Sequence, residues 1–149
     1  TFMSPVDSPW EIIEKEIENI KQAAPIVIVD FHAEATAEKI CFGRFCSEHK
    51  ISAVLGTHTH VQTADEKIIN DYTAYITDAG FCGAYNSVIG MGYEGSLKRL
   101  MTSIPERFDI DDSPVVELNA VSMSFDAVSG KGQSIGRIHF IKDYSEVTA

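Results

Sequence analysis

A short apolar run leads into two histidines in the stretch Ile51-Ser52-Ala53-Val54-Leu55-Gly56-Thr57-His58-Thr59-His60. The run from Ile51 to Leu55 predicts a buried β-strand, because it is short, continuous and rich in apolar residues. In extended backbone, residues i and i+2 point to the same side, so His58 and His60 can both face one pocket. The turn could direct them at one metal ion or at two adjacent metal ions. Neutral imidazole is the commonest protein ligand for transition metals. The stretch therefore predicts a metal site just beyond a strand.

A second apolar run, from Ile26 to Phe31, comes earlier in the chain and ends at His32. Its continuous β-branched character is typical of a strand covered on both faces in a parallel sheet. The segment from about Thr36 to His49 has a helical pattern, so the three segments together predict a βαβ unit. A βαβ crossover makes its two strands parallel, so His32 and His58 are expected at the same edge of the sheet.

Several polar residues could support these histidines. Asp30 could orient a ligating imidazole, and Thr57 and Thr59 alternate with the histidines as candidate hydrogen-bond donors. Asp78 ends a third apolar strand, predicted at 73–77, and could reach the same edge. Each carboxylate could equally be satisfied by backbone N–H groups, and both interpretations stay open. The other polar residues considered are interpreted as structural or solvated: Glu34, His49, Cys82, Lys98, Arg99 and His139.

The rest of the chain predicts a mixed α/β architecture. Ser8-Pro9-Trp10-Glu11 predicts the start of a helix, with Ser8 and Glu11 forming a capping box. Pro25 is expected to end that helix. The later elements expected are a short strand or turn at 65–70, a glycine-rich loop at 79–93, a short helix at 94–103, strands at 115–126 and 133–141 that form an antiparallel hairpin, and a frayed end at 143–149.

Length, charge and cysteine content limit the class of protein. A chain of 149 residues is the size of one domain, with residues 1–7 predicted to be a linker. The net charge of -10 argues against an extended nucleic-acid surface, which needs cationic side chains. No apolar run approaches the ~18 residues of a membrane span. Three cysteines without a zinc-site spacing favour reduced thiols and a cytoplasmic location.

Longer motifs resemble the YmdB-like branch of the calcineurin-like metallophosphoesterases. The motifs are Asp30-Phe31-His32-Ala33-Glu34-Ala35-Thr36 and Gly56-Thr57-His58-Thr59-His60-Val61-Gln62-Thr63-Ala64-Asp65, with further similarity at Thr73-Ala74-Tyr75-Ile76-Thr77-Asp78, Ser87-Val88-Ile89-Gly90, Lys98-Arg99 and Pro105-x-Arg107-Phe108. The resemblance covers essentially the whole chain. It implies part of a metallophosphoesterase-type β-sandwich flanked by helices, with a βαβ unit, then mixed strands and a terminal antiparallel hairpin.

The resemblance also implies a phosphodiesterase that uses two metal ions, iron, manganese or zinc, on substrates such as 2′,3′-cyclic nucleotides. His32 and His58 would ligate one metal, and His60 the other. In the family, further ligands and the histidine that acts as general acid come from the first half of the protein. No matching Asp-x-x-Gly or Gly-Asn-His motif occurs here. The resemblance thus implies a carboxyl-terminal portion without a catalytic acid of its own, whose metal site is completed by an upstream segment.

Two other interpretations remain open. The three histidines could hold a single zinc ion, because three protein ligands plus water is a known catalytic arrangement. Alternatively, the chain could be a non-catalytic interaction domain whose glycine loop and sheet edge bind a partner. A missing sheet partner would leave apolar surface exposed, so association with the upstream segment or into a homo-oligomer is also expected.

Overall fold

The computed structural model describes residues 7–105, 107 and 109–147, which form two β-sheets and three α-helices. Of the predicted linker at 1–7, only Asp7 lies within the described residues. The elements in chain order are α1 (Pro9–Ala23), β1 (Ile28–His32), α2 (Thr36–Glu48), β2 (Ala53–Thr57), β3 (Lys67–Ile69), β4 (Thr73–Ile76), β5 (Cys82–Ala84), α3 (Tyr93–Thr102), β6 (Val115–Phe125), β7 (Gly132–Asp143) and a short 3₁₀ helix (Ser145–Val147).

The first sheet contains the predicted βαβ unit. Its strand order is β1-β2-β4-β3, with β1, β2 and β4 parallel and β3 antiparallel to β4. Helix α2 connects β1 to β2, as the apolar periodicity predicted. The register places His32 opposite Thr57, so the ends of β1 and β2 coincide. The α/β fold class is therefore confirmed.

The main core lies between this sheet and the helices α1 and α2. Phe31 stacks on Phe42 with ring centroids 3.9 Å apart, and Trp10 meets Phe42 edge to face at 5.1 Å. Side chains alternate along a strand, so the other face of β1 carries Ile28 and His32, which are exposed. The prediction that this strand is covered on both faces is wrong for the described residues. Ile28 is 49% exposed, because β1 is an edge strand and the helices cover one face only.

The second sheet contains β5, β6 and β7, all antiparallel. The predicted terminal hairpin is confirmed as β6–β7, and β7 contacts β3 and β4 of the first sheet. The Gly132 backbone N–H donates to the carbonyl of Tyr72 at 2.7 Å, which fixes the hairpin turn against the first sheet. The prediction of a continuous loop at 79–93 is wrong, because residues 82–84 pair with β6 as strand β5.

Two predictions about the ends of the chain are also wrong. Ser8 precedes α1 but makes no side-chain cap, and the Glu11 carboxylate instead approaches Lys15 at 3.6 Å. The segment 143–149 was predicted to be frayed, but Asp143 ends β7 and residues 145–147 form a 3₁₀ helix, with the Ser145 N–H donating to the Asp143 carboxylate. Residues 148 and 149 lie outside the described residues. Within the described part of the chain, we find no helix with the length and apolarity needed to span a membrane.

Candidate metal centre

The side chains of His32 and His58 converge at the ends of β1 and β2. Nε2 of His32 lies 3.1 Å from Nδ1 of His58, and the rings meet edge to face with centroids 4.9 Å apart. Two nitrogens bound to one tetrahedral zinc at about 2.0–2.1 Å would be about 3.3 Å apart. The two imidazoles therefore have close to the spacing of two ligands on one metal ion. Both side chains are exposed, so the site is open to solvent.

A hydrogen-bonded chain behind His32 determines its tautomer. The Thr57 hydroxyl donates to Oδ1 of Asp30 at 2.7 Å, which uses its single hydrogen. Its oxygen lies 3.0 Å from Nδ1 of His32 and therefore accepts a hydrogen bond from Nδ1–H. Nε2 of His32 is then left with a free lone pair directed towards His58. Ligating histidines are commonly oriented in this way by a hydrogen bond at the second ring nitrogen, so the arrangement suits a metal ligand.

His60 lies apart from this pair. The loop backbone is not extended as the sequence pattern predicted, because φ is +115° at His58 and +64° at His60. The His60 ring stacks on Phe81, with centroids 5.8 Å apart and ring planes 23° apart. Among residues 7–105, 107 and 109–147, no group of three or more His, Cys, Asp or Glu side chains is placed to hold one metal. The arrangement therefore offers no support for a zinc site formed by three histidines.

A buried ion pair fixes the loop at 58–66, which carries His58 and His60 and is called the histidine loop below. Nζ of Lys39 lies 2.9 Å from Oδ2 of Asp78, and both side chains are only 1% exposed. The same oxygen accepts the Thr59 backbone N–H at 3.0 Å, and Oδ1 accepts the Gly80 N–H at 2.9 Å. Burial alone would raise the pKa of Asp78. The hydrogen bonds from Lys39, Gly80 and Thr59 lower the pKa by more than burial raises it, so the pKa lies below its ordinary value. Asp78 is therefore a charged anchor for the loop.

A second carboxylate anchors the far end of the same loop. Oδ1 of Asp65 accepts the Thr63 hydroxyl at 2.7 Å and the Thr77 backbone N–H at 3.1 Å. The Thr63 backbone N–H donates to the carbonyl of Asp78 at 3.1 Å. Burial raises the pKa of Asp65, while hydrogen bonds from Thr77 and Thr63 lower it more. The histidine loop is thus held at both ends by buried or half-buried carboxylates.

These carboxylates predict that the protein loses stability in acid. Because the folded-state pKa of Asp65 lies below the ordinary 3.8, its stabilising effect is complete above that value and is lost as the pH falls through the lower pKa. We therefore expect the melting temperature to fall as the pH drops below about 4, and to fall less in Asp65→Asn. Thermal unfolding followed by circular dichroism at several pH values measures this. An equal fall in melting temperature in the parent protein and in Asp65→Asn would contradict the role of Asp65 as an anchor.

The sequence prediction located part of this arrangement. His32, His58, Asp30 and Thr57 meet as expected, and Asp78 lies beside the histidine loop. Thr59 contributes its backbone N–H to Asp78, whereas its side chain was the predicted donor. Lys39 was missed, because a lysine on a helix usually lies on a solvated face.

The donor set fits a transition-metal ion. Imidazole nitrogens suit zinc, iron and related metals. One free lone pair is already directed between the two rings, and the proton on Nδ1 of His58 is the one that metal binding would displace. A structural role alone would not require two solvent-exposed imidazoles at hydrogen-bonding distance. The two imidazoles therefore offer donor atoms of the kind that a transition-metal site uses.

Comparisons with known proteins identify the relatives of this chain. Residues 1–138 match the family model described as "YmdB-like protein". The chain is 40% identical over 144 residues to a Bacillus subtilis protein named 2′,3′-cyclic-nucleotide 2′-phosphodiesterase, covering 97% of this chain and 54% of that protein. A Mycoplasma pneumoniae protein named putative phosphatase/phosphodiesterase is 34% identical over 139 residues, covering 91% of this chain and 47% of that protein. The chain thus spans about half the length of these curated relatives.

Two solved structures share the fold. A crystal structure of a hypothetical protein from Thermus thermophilus matches with a TM-score of 0.85 and 35% identity, over 95% of this chain and 54% of that one. A structure described as a novel phosphatase from Mycoplasma pneumoniae matches with a TM-score of 0.84 and 31% identity, over 99% of this chain and 53% of that one. The similarity therefore extends over both sheets and includes the strands that position the histidines.

Proposed function

Because this chain belongs to the YmdB-like protein family, we propose that it supplies part of the dinuclear metal site of a phosphodiesterase. The substrate class is a phosphodiester such as a 2′,3′-cyclic nucleotide. His32 and His58 hold one metal ion and His60 the other, and the remaining ligands and the general acid come from outside this chain. The observation that carries the proposal is the 3.1 Å approach of the two imidazoles at the carboxyl ends of β1 and β2.

The surrounding residues prepare the site for this role. Asp30, acting through Thr57, keeps the proton of His32 on Nδ1 and leaves Nε2 available. Lys39 and Asp78 hold the histidine loop through its backbone. Metal-ion catalysis at such a site polarises a phosphoryl oxygen and lowers the pKa of the attacking water. The protein contributes a fixed ligand geometry and an open face through which a phosphodiester can enter.

Activity is best tested in a graft in which this chain replaces the matching residues of the Bacillus subtilis relative. We expect the graft to hydrolyse a 2′,3′-cyclic nucleotide with added Mn²⁺. His58→Ala should lower kcat/KM by at least about 100-fold. Removing a residue that only orients a metal ligand already lowers activity by up to about 100-fold, and removing the ligand itself should lower it at least as much. His49→Ala is the matched control, because His49 caps α2 and packs on Phe45. A graft whose activity survives His58→Ala would contradict the proposal.

A further inference from the structure

A cavity of about 340 Å³ opens beside His60, between the histidine loop and the second sheet. Its apolar walls include Phe81 and Ile89, and its polar lining includes Glu117, Asn119 and Arg137. We propose that this cavity binds the nucleobase of a nucleotide substrate, with the ring packed against Phe81 and Ile89. The proposal rests on the proposed function, because His60 would then hold the metal nearest to the base. A cavity of this size lies within the range of small-molecule sites.

The position of Ile89 is the strongest indication of a binding role. Val88 and Met91 exchange backbone hydrogen bonds at 2.8 Å and 3.0 Å, so Ile89 and Gly90 form a two-residue turn. Both have positive φ, +48° and +99°, which is typical of a type I′ turn and favours Asn-Gly. A β-branched residue is strained at positive φ. Ile89 is nevertheless there, 48% exposed, and such strain tends to persist at ligand-binding positions.

The Phe81 ring is held in place by the loop around it. The backbone carbonyl of Phe81 accepts a hydrogen bond from the Asn119 side-chain amide at 2.8 Å. A Cβ atom added at Gly83 would lie 2.7 Å from Cε2 of the Phe81 ring, so only glycine leaves room for this ring position. Base–aromatic stacking contributes substantially to nucleotide binding, and a ring fixed in advance loses little freedom on binding. Phe81 is thus a suitable platform for a flat heterocycle.

The polar side of the cavity can hydrogen-bond the edge of a base. Nδ2 of Asn119 donates both to Phe81 and to Oε2 of Glu117, at 3.1 Å, which leaves Oδ1 as an acceptor. Glu117 also lies 3.4 Å from Nε2 of His139. Arg137 engages Glu66 through Nε at 2.9 Å, so its guanidinium is oriented at the rim. A mainly polar cavity with Phe81 and Ile89 on its apolar part matches a nucleobase, which has a flat face and a polar edge, better than an aliphatic group.

The test is ligand-observed saturation-transfer NMR of adenosine 2′,3′-cyclic phosphate with the full chain in EDTA, where no hydrolysis occurs. We expect stronger saturation of the base protons than of the ribose protons. The methyl riboside 2′,3′-cyclic phosphate, which has no base, should show no comparable transfer. Phe81→Leu should raise Kd about tenfold, and Ile89→Asn about fivefold. Because no metal is needed, failure of this subsite is distinguishable from failure of the metal site.

Ile89→Asn provides a readout that a structural role would not give. It should raise the melting temperature by about 2–4 °C while weakening nucleotide binding, because asparagine relieves the strain but removes the apolar wall. Val128→Asn is the matched control, since Val128 is 90% exposed on a different surface, and it should change neither quantity. Saturation spread equally over base and ribose would overturn the proposal. Unchanged binding in Ile89→Asn would overturn it as well.

Discussion

Lys39→Met is expected to lower the free energy of unfolding by about 3–5 kcal/mol, because it leaves the Asp78 carboxylate buried without its partner. Lys39 and Asp78 are both 1% exposed, so water cannot replace the lost ammonium group. For a chain of this size, the melting temperature should fall by about 6–20 °C. Chemical denaturation followed by circular dichroism measures the change. Methionine has nearly the shape of the lysine stem, so the loss reports charge rather than packing.

Lys15→Met is the matched control for this prediction. Lys15 also pairs with a carboxylate, that of Glu11 at 3.6 Å, but both side chains are largely exposed. Exposed pairs contribute about 0–1 kcal/mol, so this variant should unfold almost like the parent protein. Similar losses in Lys15→Met and Lys39→Met would contradict the assignment of the buried pair as the anchor of the histidine loop.

Gly56→Ala should also destabilise the protein strongly. A Cβ atom at Gly56 would lie 1.7 Å from the carbonyl oxygen of Thr77 and 3.1 Å from Cδ of Lys39. The first contact is with backbone, so β2 and the chain following β4 would have to separate. We expect a loss of about 3 kcal/mol or more, at or above the upper end of the usual cost of overpacking. Urea denaturation, with its slope compared between the proteins, measures this loss.

Gly136→Ala is the control for the glycine prediction. Gly136 also lies in a strand, but the nearest atom to an added Cβ there is Oγ of Ser122 at 3.8 Å, an ordinary contact. This variant should keep the parental stability to within about 0.5 kcal/mol. If Gly56→Ala were equally tolerated, the close approach of β2 to Thr77 would be wrong. The position of Thr59 beside Asp78, which follows β4, would then be wrong too.

The sequence predicted the convergence of His32 and His58 because two local signals and one topological rule were sufficient. A histidine follows each apolar run within three residues, and a βαβ crossover puts the ends of the two strands at one edge of a sheet. Strand β5 was missed because its three residues carry no alternating pattern. They form a strand by pairing with β6, which lies about 30 residues later in the chain. Lys39 was missed for a related reason. Its burial depends on Asp78, 39 residues later, which no local periodicity reveals.

The separation of His60 from the other two histidines does not follow from the His-x-His pattern, although the family resemblance assigned His60 to a different metal ion. The pattern His-x-His assumes extended backbone, whereas Asp78 holds the Thr59 N–H and the chain turns through positive φ at both histidines. This bend directs His60 towards Phe81 and the second sheet. The local pattern therefore selected the histidines, while their division between two positions depends on tertiary contacts.

The central claim, that His32 and His58 together hold a metal ion, is tested most directly by imidazole ¹⁵N NMR of the full chain during a Zn²⁺ titration. Before metal is added, His32 should carry its proton on Nδ1, as the bond to Thr57 requires. On titration, Nε2 of His32 and Nδ1 of His58 should shift together, while His49 remains unchanged. A His32 protonated on Nε2, or a shift of His49 equal to that of His32 and His58, would contradict the account.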